Sequence, residues 1–170
     1  MHVIDRSFAL PASAAACFGY IDTPENIPEF VFGAKEFRYL DTAAKRSGSR
    51  FELRLKLGPI AMVLEGRITE YSTDRLIAMS LDKGLITGTV VWELTPVDAE
   101  QCTASIRVEY RVARGITGRA LSKIIDSILE PAIGHTESQL RDNLIGRQHA
   151  APDPMATNSP SPPAPPAPAP

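Results

Sequence analysis

Two side chains in this sequence combine a residue type suited to proton transfer with a position that could face a bound molecule. Tyr110 occupies an inward position of a predicted strand, and His135 lies towards the inward side of a predicted helix. General acid or base catalysis needs such a titratable group held against the reacting atom. Each residue also has a structural interpretation, because tyrosines pack well in strands and histidines are often solvated. Tyr110 and His135 are therefore catalytic candidates without an assigned reaction.

Metal chemistry and nucleic-acid binding have less support. No metal-ligand spacing links His135 to the other nearby ligand types, which are His2, Glu137 and His149, so we predict neither a metal site nor a cofactor. The net charge of −2 is spread along the chain without a basic patch. Binding to a phosphate backbone requires such a patch, so nucleic acid is not an expected partner.

The cysteines and the apolar segments indicate the cellular compartment of the protein. Cys17 and Cys102 are far apart and form no Cys-x-x-Cys pattern, which argues against structural zinc and a disulfide scaffold. No apolar run reaches the ~20 residues that a transmembrane helix needs. The apolar stretch of residues 8–21 contains Pro11 and Ser13 and follows Asp5, so a strand followed by a helix is favoured over a signal peptide. We expect reduced thiols in a cytoplasmic protein.

The centre of the chain alternates between apolar and polar residues with a period of two, which predicts antiparallel hairpins. The strands share one apolar face if the turns lie at residues 58–59, 73–74, 82–84 and 98–100. The registers then pair Leu53 with Leu64, Ile68 with Met79, Met79 with Val90, Trp92 with Ile106, and Val90 with Val108. Four hairpins that agree on one buried face are stronger evidence than any single strand.

Helical segments flank these hairpins. After a first strand at residues 3–10, short helices are predicted at 14–20 and 25–32. Residues 117–146 carry an apolar stripe at three- and four-residue steps, which predicts an amphipathic helix lying across the apolar sheet face. Pro131 falls inside this pattern and predicts a kink or a short break. Residues 149–170 are rich in proline and alanine and predict a disordered tail outside the folded domain of residues 1–148.

The phrase DTPENIPEF at residues 22–30, followed by the strand EFRYL at 36–40, resembles the START-like, or SRPBCC, superfamily. Within it the chain is most similar to polyketide cyclase/dehydrase-like and coenzyme Q-binding-like members. The resemblance implies an α+β helix-grip fold, in which a curved seven-stranded antiparallel sheet wraps around a long C-terminal helix, with two short helices after strand 1. Members of the superfamily carry lipids, quinones, sterols, polyketides or plant hormones, and some catalyse cyclisation or dehydration.

The inner face of the predicted sheet and helix is almost free of ionisable groups, as expected of a pocket for an apolar ligand. The predicted ligand-binding residues are Phe51, Leu53, Leu64, Met79, Val90, Trp92, Ile106, Val108, Tyr110, Ile124, Ile128 and His135. The leading hypothesis is a protein that binds a small hydrophobic or amphipathic molecule of the lipid, quinone or polyketide-like kind. The alternatives are a cyclase/aromatase-type enzyme acting through Tyr110 and His135, and a non-catalytic interaction module that recruits a partner through its tail.

Overall fold

The computed structural model describes residues 1–42, 47–113 and 118–150, and only the backbone of residues 118 and 119. Eleven elements follow one another in these ranges. They are β1 (His2–Leu10), α1 (Ala14–Ile21), a 3₁₀ turn (Pro24–Asn26), α2 (Ile27–Phe30), β2 (Ala34–Tyr39), β3 (Arg50–Leu57), β4 (Ile60–Ser72), β5 (Leu76–Lys83), β6 (Ile86–Pro96), β7 (Cys102–Val112) and α3 (Gly118–Ala150). The last helix therefore includes residues 149 and 150 of the predicted tail. Residues 151–170 lie outside the described part of the chain.

The seven strands form one antiparallel sheet in the order β1-β7-β6-β5-β4-β3-β2. The predicted hairpin registers are confirmed: the paired residues include Leu53 with Leu64, Ile68 with Met79, Met79 with Val90, Trp92 with Ile106, and Val90 with Val108. The predicted α+β helix-grip architecture is confirmed as well. One apolar face thus runs across the sheet, because these pairs put the apolar residues of neighbouring strands on the same side of the pleat.

Irregular pairing in β4 accompanies the curvature of the sheet. The register between β4 and β5 shifts at Glu65/Gly66, and again a few residues later. A Cβ atom on Gly66 would stand 1.9 Å from the carbonyl oxygen of Ser80 and 2.8 Å from Cζ of Phe51. Glycine therefore allows β5 to approach closely and leaves space for the Phe51 ring, as expected where a strand bulges and bends.

The segment after β1 folds into short helices because of its capping residues and prolines. The hydroxyl of Ser13 accepts a hydrogen bond from the Ala16 amide and caps α1. The predicted second helix is shorter than expected: residues 24–26 form a 3₁₀ turn, and α2 spans only Ile27–Phe30. Pro28 lacks the amide donor that a longer regular helix over this segment would need, whereas Pro24 at the start of the segment is tolerated.

The C-terminal helix α3 packs on the inner sheet face through a stripe of buried residues, namely Ile125, Ala132, Ile133, Leu140 and Leu144. A kink or a short break was predicted at Pro131; the break does not occur, since the helix continues through this residue. Pro131 is exposed, and so is Ser127, whose carbonyl would have received the missing hydrogen bond. Water can satisfy that carbonyl, which lowers the cost of the proline.

The end of α3 is fixed to the two short helices through Tyr20. Asn143 donates a hydrogen bond from Nδ2 to the Tyr20 hydroxyl at 3.0 Å, and the Tyr20 hydroxyl donates to Glu29 at 2.7 Å. The guanidinium of Arg147 lies 4.5 Å from the centre of the Tyr20 ring, a cation–π distance.

Among the helices that the structure describes, none combines the length and apolarity required to cross a membrane.

Candidate functional site

A cavity of about 180 Å³ lies between the inner face of the sheet, α3, and the segment around α2. Its walls contain these predicted ligand-binding residues: Phe51, Leu53, Leu64, Met79, Val90, Trp92, Ile106, Val108 and Tyr110. They come from strands β3 to β7 and occupy the inward positions of the confirmed registers. The sheet therefore supplies the apolar wall that the alternating pattern predicts.

The helix contributes different residues from those expected. Ile124 is 43% exposed, and Ile128 packs at the edge of the core without lining the cavity. His135 is exposed, and its ring packs edge-on against Phe32, with the ring centres 5.2 Å apart. The structure thus places neither Ile124 nor His135 where a molecule in the cavity would touch it.

The phase of α3 explains where these residues lie. The helical residues that do line the cavity are Leu129, Ala132, Ile133 and Thr136. Each step along an α-helix turns the side-chain direction by about 100°, so His135, one position before Thr136, points well away from it. Ile124 is offset in the same way from the fully buried Ile125.

Tyr110 belongs to a polar cluster at one end of the cavity. It is 2% exposed, and its hydroxyl donates a hydrogen bond to Oδ1 of Asp126 at 2.7 Å. The Ser122 hydroxyl lies 3.4 Å from Oδ2 of the same carboxylate, and Nδ1 of His2 lies 3.5 Å from Oδ1. The His2 ring stacks on the Tyr110 ring with centres 5.0 Å apart. β1, β7 and α3 therefore meet at this cluster.

The environment of Tyr110 keeps its phenol protonated. Burial raises the pKa of Tyr110, and the hydrogen bond to Asp126 and the charge of that carboxylate raise it further. A phenolate would be poorly solvated and would face a like charge. Tyr110 can therefore hydrogen bond to a ligand at neutral pH, but it is not a base.

A second polar cluster, which the sequence did not predict, lies on the same inner face at the opposite end of the cavity. Asp22 and Tyr39 line the cavity there, and the hydroxyl of Tyr71 donates a hydrogen bond to Oδ2 of Asp22 at 2.8 Å. Burial, followed by the charge of Asp22, raises the pKa of Tyr39 to about 12. The available signal was the alternation of Phe37 and Tyr39 along β2, which puts both on the inner face.

The two clusters stand at opposite ends of one row across the sheet. This row runs through the paired residues Tyr39, Phe51, Gly66, Leu81, Gly88 and Tyr110. Gly66 and Gly88 in this row add no side chain to the inner face between the two tyrosines. A bound molecule would thus have apolar walls around its body and would meet a phenol at whichever end of the row it occupies.

Thr136 supplies the remaining hydroxyl of the lining. It donates to the carbonyl oxygen of Ala132 at 2.9 Å and accepts a hydrogen bond from the Phe32 amide at 3.3 Å. These bonds tie the loop after α2 to α3 and satisfy the hydroxyl. Among the described lining residues no lysine, arginine or histidine is present, and Asp22 is the one carboxylate.

Solved structures with a similar fold support this architecture. The aromatase/cyclase Zhui from Streptomyces sp. R1128 superposes with a TM-score of 0.72 at 12% identity, covering 89% of this chain and 98% of that one. A START superfamily protein from Mycobacterium smegmatis gives 0.68 at 15% identity, covering 86% and 99%. Norcoclaurine synthase from Thalictrum flavum, in complex with dopamine and hydroxybenzaldehyde, gives 0.58 at 12% identity, covering 85% and 87%. At these identities the likeness concerns the fold.

The sequence itself identifies the family. No curated protein matches the chain at a significant level. The model of the family described as "Polyketide cyclase / dehydrase and lipid transport" matches residues 1–142, which span β1 to most of α3. That range contains both polar clusters and the whole cavity wall. The chain therefore belongs to the polyketide cyclase/dehydrase and lipid transport family.

Proposed function

We propose that this domain binds a small hydrophobic or amphipathic molecule in the cavity between the sheet and α3. The observation that carries the proposal is an apolar cavity with the buried Tyr110 at one end and the half-buried Asp22 and Tyr39 at the other. Small-molecule sites are mostly apolar with few placed polar groups. A molecule of this kind would gain by transfer from water to the cavity and be oriented by Tyr110 or Tyr39. The norcoclaurine synthase complex is in keeping with a small organic ligand in this fold.

The size of the cavity narrows the range of ligands. A buried apolar cavity of ~150 Å³ is large enough to hold benzene. The volume here, about 180 Å³, therefore suits one substituted ring or a short chain. A long lipid, a quinone tail or a polycyclic polyketide would require the cavity to widen, or would place only one end of the molecule inside it.

Catalysis by Tyr110 and His135 together has less support than binding. His135 is exposed and packs against Phe32 outside the cavity lining, so one bound molecule would not reach both groups. Tyr110 remains a hydrogen-bonding group with a raised pKa. A cyclase mechanism would then depend on Tyr110, Tyr39 and Asp22 alone. The interaction-module alternative assumed a pocket filled by side chains, whereas this one retains open volume.

Native mass spectrometry with a blocking variant tests the proposal. Freshly purified protein is expected to carry a small-molecule adduct that denaturation releases. Val108→Phe adds a ring at the cavity wall and should abolish the adduct. Val63→Phe makes the same change at a residue that is 47% exposed and outside the lining, so it should leave the adduct in place.

The same variants can be compared by binding of small aromatic probes, with the single tryptophan, Trp92, reporting from the cavity wall. An adduct or probe that binds equally to the Val108→Phe and Val63→Phe proteins would contradict a site in the cavity. A protein that carries no adduct and binds no apolar probe would contradict the proposed function. Deleting residues 151–170 and repeating a pull-down tests the interaction alternative separately.

A further inference from the structure

The direction of one hydrogen bond determines what Tyr110 offers to a bound molecule. A tyrosine hydroxyl has a single proton, and here that proton is donated to Asp126 at 2.7 Å. The lone pairs of the Tyr110 oxygen are then the part of the hydroxyl that is left for the cavity. Tyr110 therefore presents an acceptor, which a ligand donor would satisfy and a ligand carbonyl would not.

The carboxylate that takes this proton has two further polar neighbours, one on its own helix and one on β1. Ser122, one turn earlier on α3, lies 3.4 Å from Oδ2, and His2 of β1 lies 3.5 Å from Oδ1. Stacking of the His2 ring on Tyr110 restricts the tyrosine ring as well. Turning the Tyr110 proton towards the cavity would break its bond to a carboxylate, and bonds to charged groups are the stronger ones.

The other side chains of the described lining carry no positive charge that would bind an anion. Thr136 already donates to Ala132. The Tyr39 hydroxyl and the Trp92 indole N–H are neutral donors, and the one charged side chain is the carboxylate of Asp22. Asp126 adds a second negative charge directly behind Tyr110. A ligand carboxylate would be desolvated against like charges, with no described lysine, arginine or histidine of the lining to compensate.

From these contacts we infer that the ligand is a neutral molecule about the size of one substituted ring, with a hydroxyl group that donates a hydrogen bond to the Tyr110 oxygen. This inference rests on the proposed binding function and names the chemical class of its ligand. The ligand hydroxyl, Tyr110 and Asp126 would form a chain in which each bond polarises the next. The apolar body of the molecule would lie over the row of inner-face residues between Tyr110 and Tyr39.

Three matched probes test the inference by calorimetry at neutral pH: 4-ethylphenol, 4-ethyltoluene and 4-ethylbenzoate. The first two differ by a hydroxyl against a methyl group, and the third carries a negative charge. We expect 4-ethylphenol to bind about tenfold more tightly than 4-ethyltoluene, the factor for one well-made hydrogen bond. The benzoate should bind most weakly. Tyr110→Phe should remove the difference between the phenol and the toluene, whereas Tyr20→Phe, which removes a buried hydroxyl outside the cavity lining, should retain it.

Each other outcome has a distinct meaning. Equal binding of the phenol and the toluene to the unaltered protein would overturn the inference and leave the proposed function standing. Tightest binding by the benzoate would overturn it too. A preference for the phenol that survives Tyr110→Phe would overturn the assignment to Tyr110. If neither neutral probe binds, the proposed function fails, and the inference fails with it.

Discussion

The Sγ atoms of Cys17 and Cys102 lie 3.3 Å apart, although 85 positions separate the two residues in the chain. Both side chains are fully buried where α1 packs on the start of β7, and both thiols are free. Cys17 also donates to the carbonyl oxygen of Ala12 at 3.6 Å. Two cysteines that are unrelated in sequence thus form one contact in the core.

This contact predicts thiols that react slowly. Burial raises the pKa of the Cys17 thiol and of the Cys102 thiol, and the thiolate is the reactive form. Reaction with an aromatic disulfide reagent, followed by absorbance, should be at least ~100-fold slower in the native protein than in concentrated urea, because attack requires opening of the core. Fast labelling of the native protein by one equivalent of reagent would show that one of the two thiols is accessible.

A second prediction concerns Gly66. Adding a Cβ atom there brings it within 1.9 Å of the Ser80 carbonyl oxygen, so Gly66→Ala should lower the free energy of unfolding by ~2 kcal/mol or more. At Gly134, inside α3, such a Cβ atom would have no atom within 4 Å apart from its chain neighbours and the backbone of its own helix. Gly134→Ala is therefore the matched control and should be neutral or stabilising by up to ~1 kcal/mol. Urea unfolding monitored by circular dichroism measures both, and equal effects of the two changes would contradict the close approach of β4 and β5.

The raised pKa values of the tyrosines predict that the protein loses stability at alkaline pH. Burial is the largest cause that raises the pKa of all four, and the pKa of Tyr20 and that of Tyr39 rise to about 12. Their contribution to stability is complete below pH ~10, where the unfolded chain also keeps its phenols protonated. Above that pH the unfolded state releases protons that the native state retains, so the free energy of unfolding falls as pH rises.

Absorbance at 295 nm and far-ultraviolet circular dichroism, recorded together from pH 8 to 13, test this. Tyrosinate should form in step with the loss of secondary structure, while the urea-unfolded chain titrates near pH ~10. A phase of ionisation near pH ~10 with the circular dichroism unchanged would show that at least one tyrosine is not protected.

A fourth prediction separates the proline-rich tail from the helix before it. Removal of residues 151–170 should change the melting temperature by less than ~1 °C, because their composition predicts no packed structure. Truncation after residue 139 removes Leu140 and Leu144, both buried, together with Asn143 and Arg147, which contact Tyr20. This truncation should lower the free energy of unfolding by ~4 kcal/mol or more. A large effect of the shorter deletion would mean that the tail contributes to the fold.

The sheet could be predicted from the sequence because its pattern repeats locally. Residues such as Leu53, Leu64 and Ile106 alternate with polar neighbours, and short turns leave few registers that keep them on one side. The helix was less predictable in its detail. Its apolar stripe indicates that one face is buried, but an error of one residue in the position of that stripe turns the predicted buried face by about 100°. Such an error is enough to direct Ile124 and His135 inward, whereas the structure has both exposed.

What the sequence determined by itself is the architecture: alternation with periods of two and 3.6 encodes which faces must be buried, and burial of those faces admits few arrangements. The tertiary structure alone decided which polar groups meet. Tyr110 and Asp126 lie on a strand and a helix, and Tyr71 and Asp22 are 49 positions apart, so no local pattern relates them. Hydrogen bonds depend on distances of about 3 Å and on direction, which exist only once the sheet has closed around α3.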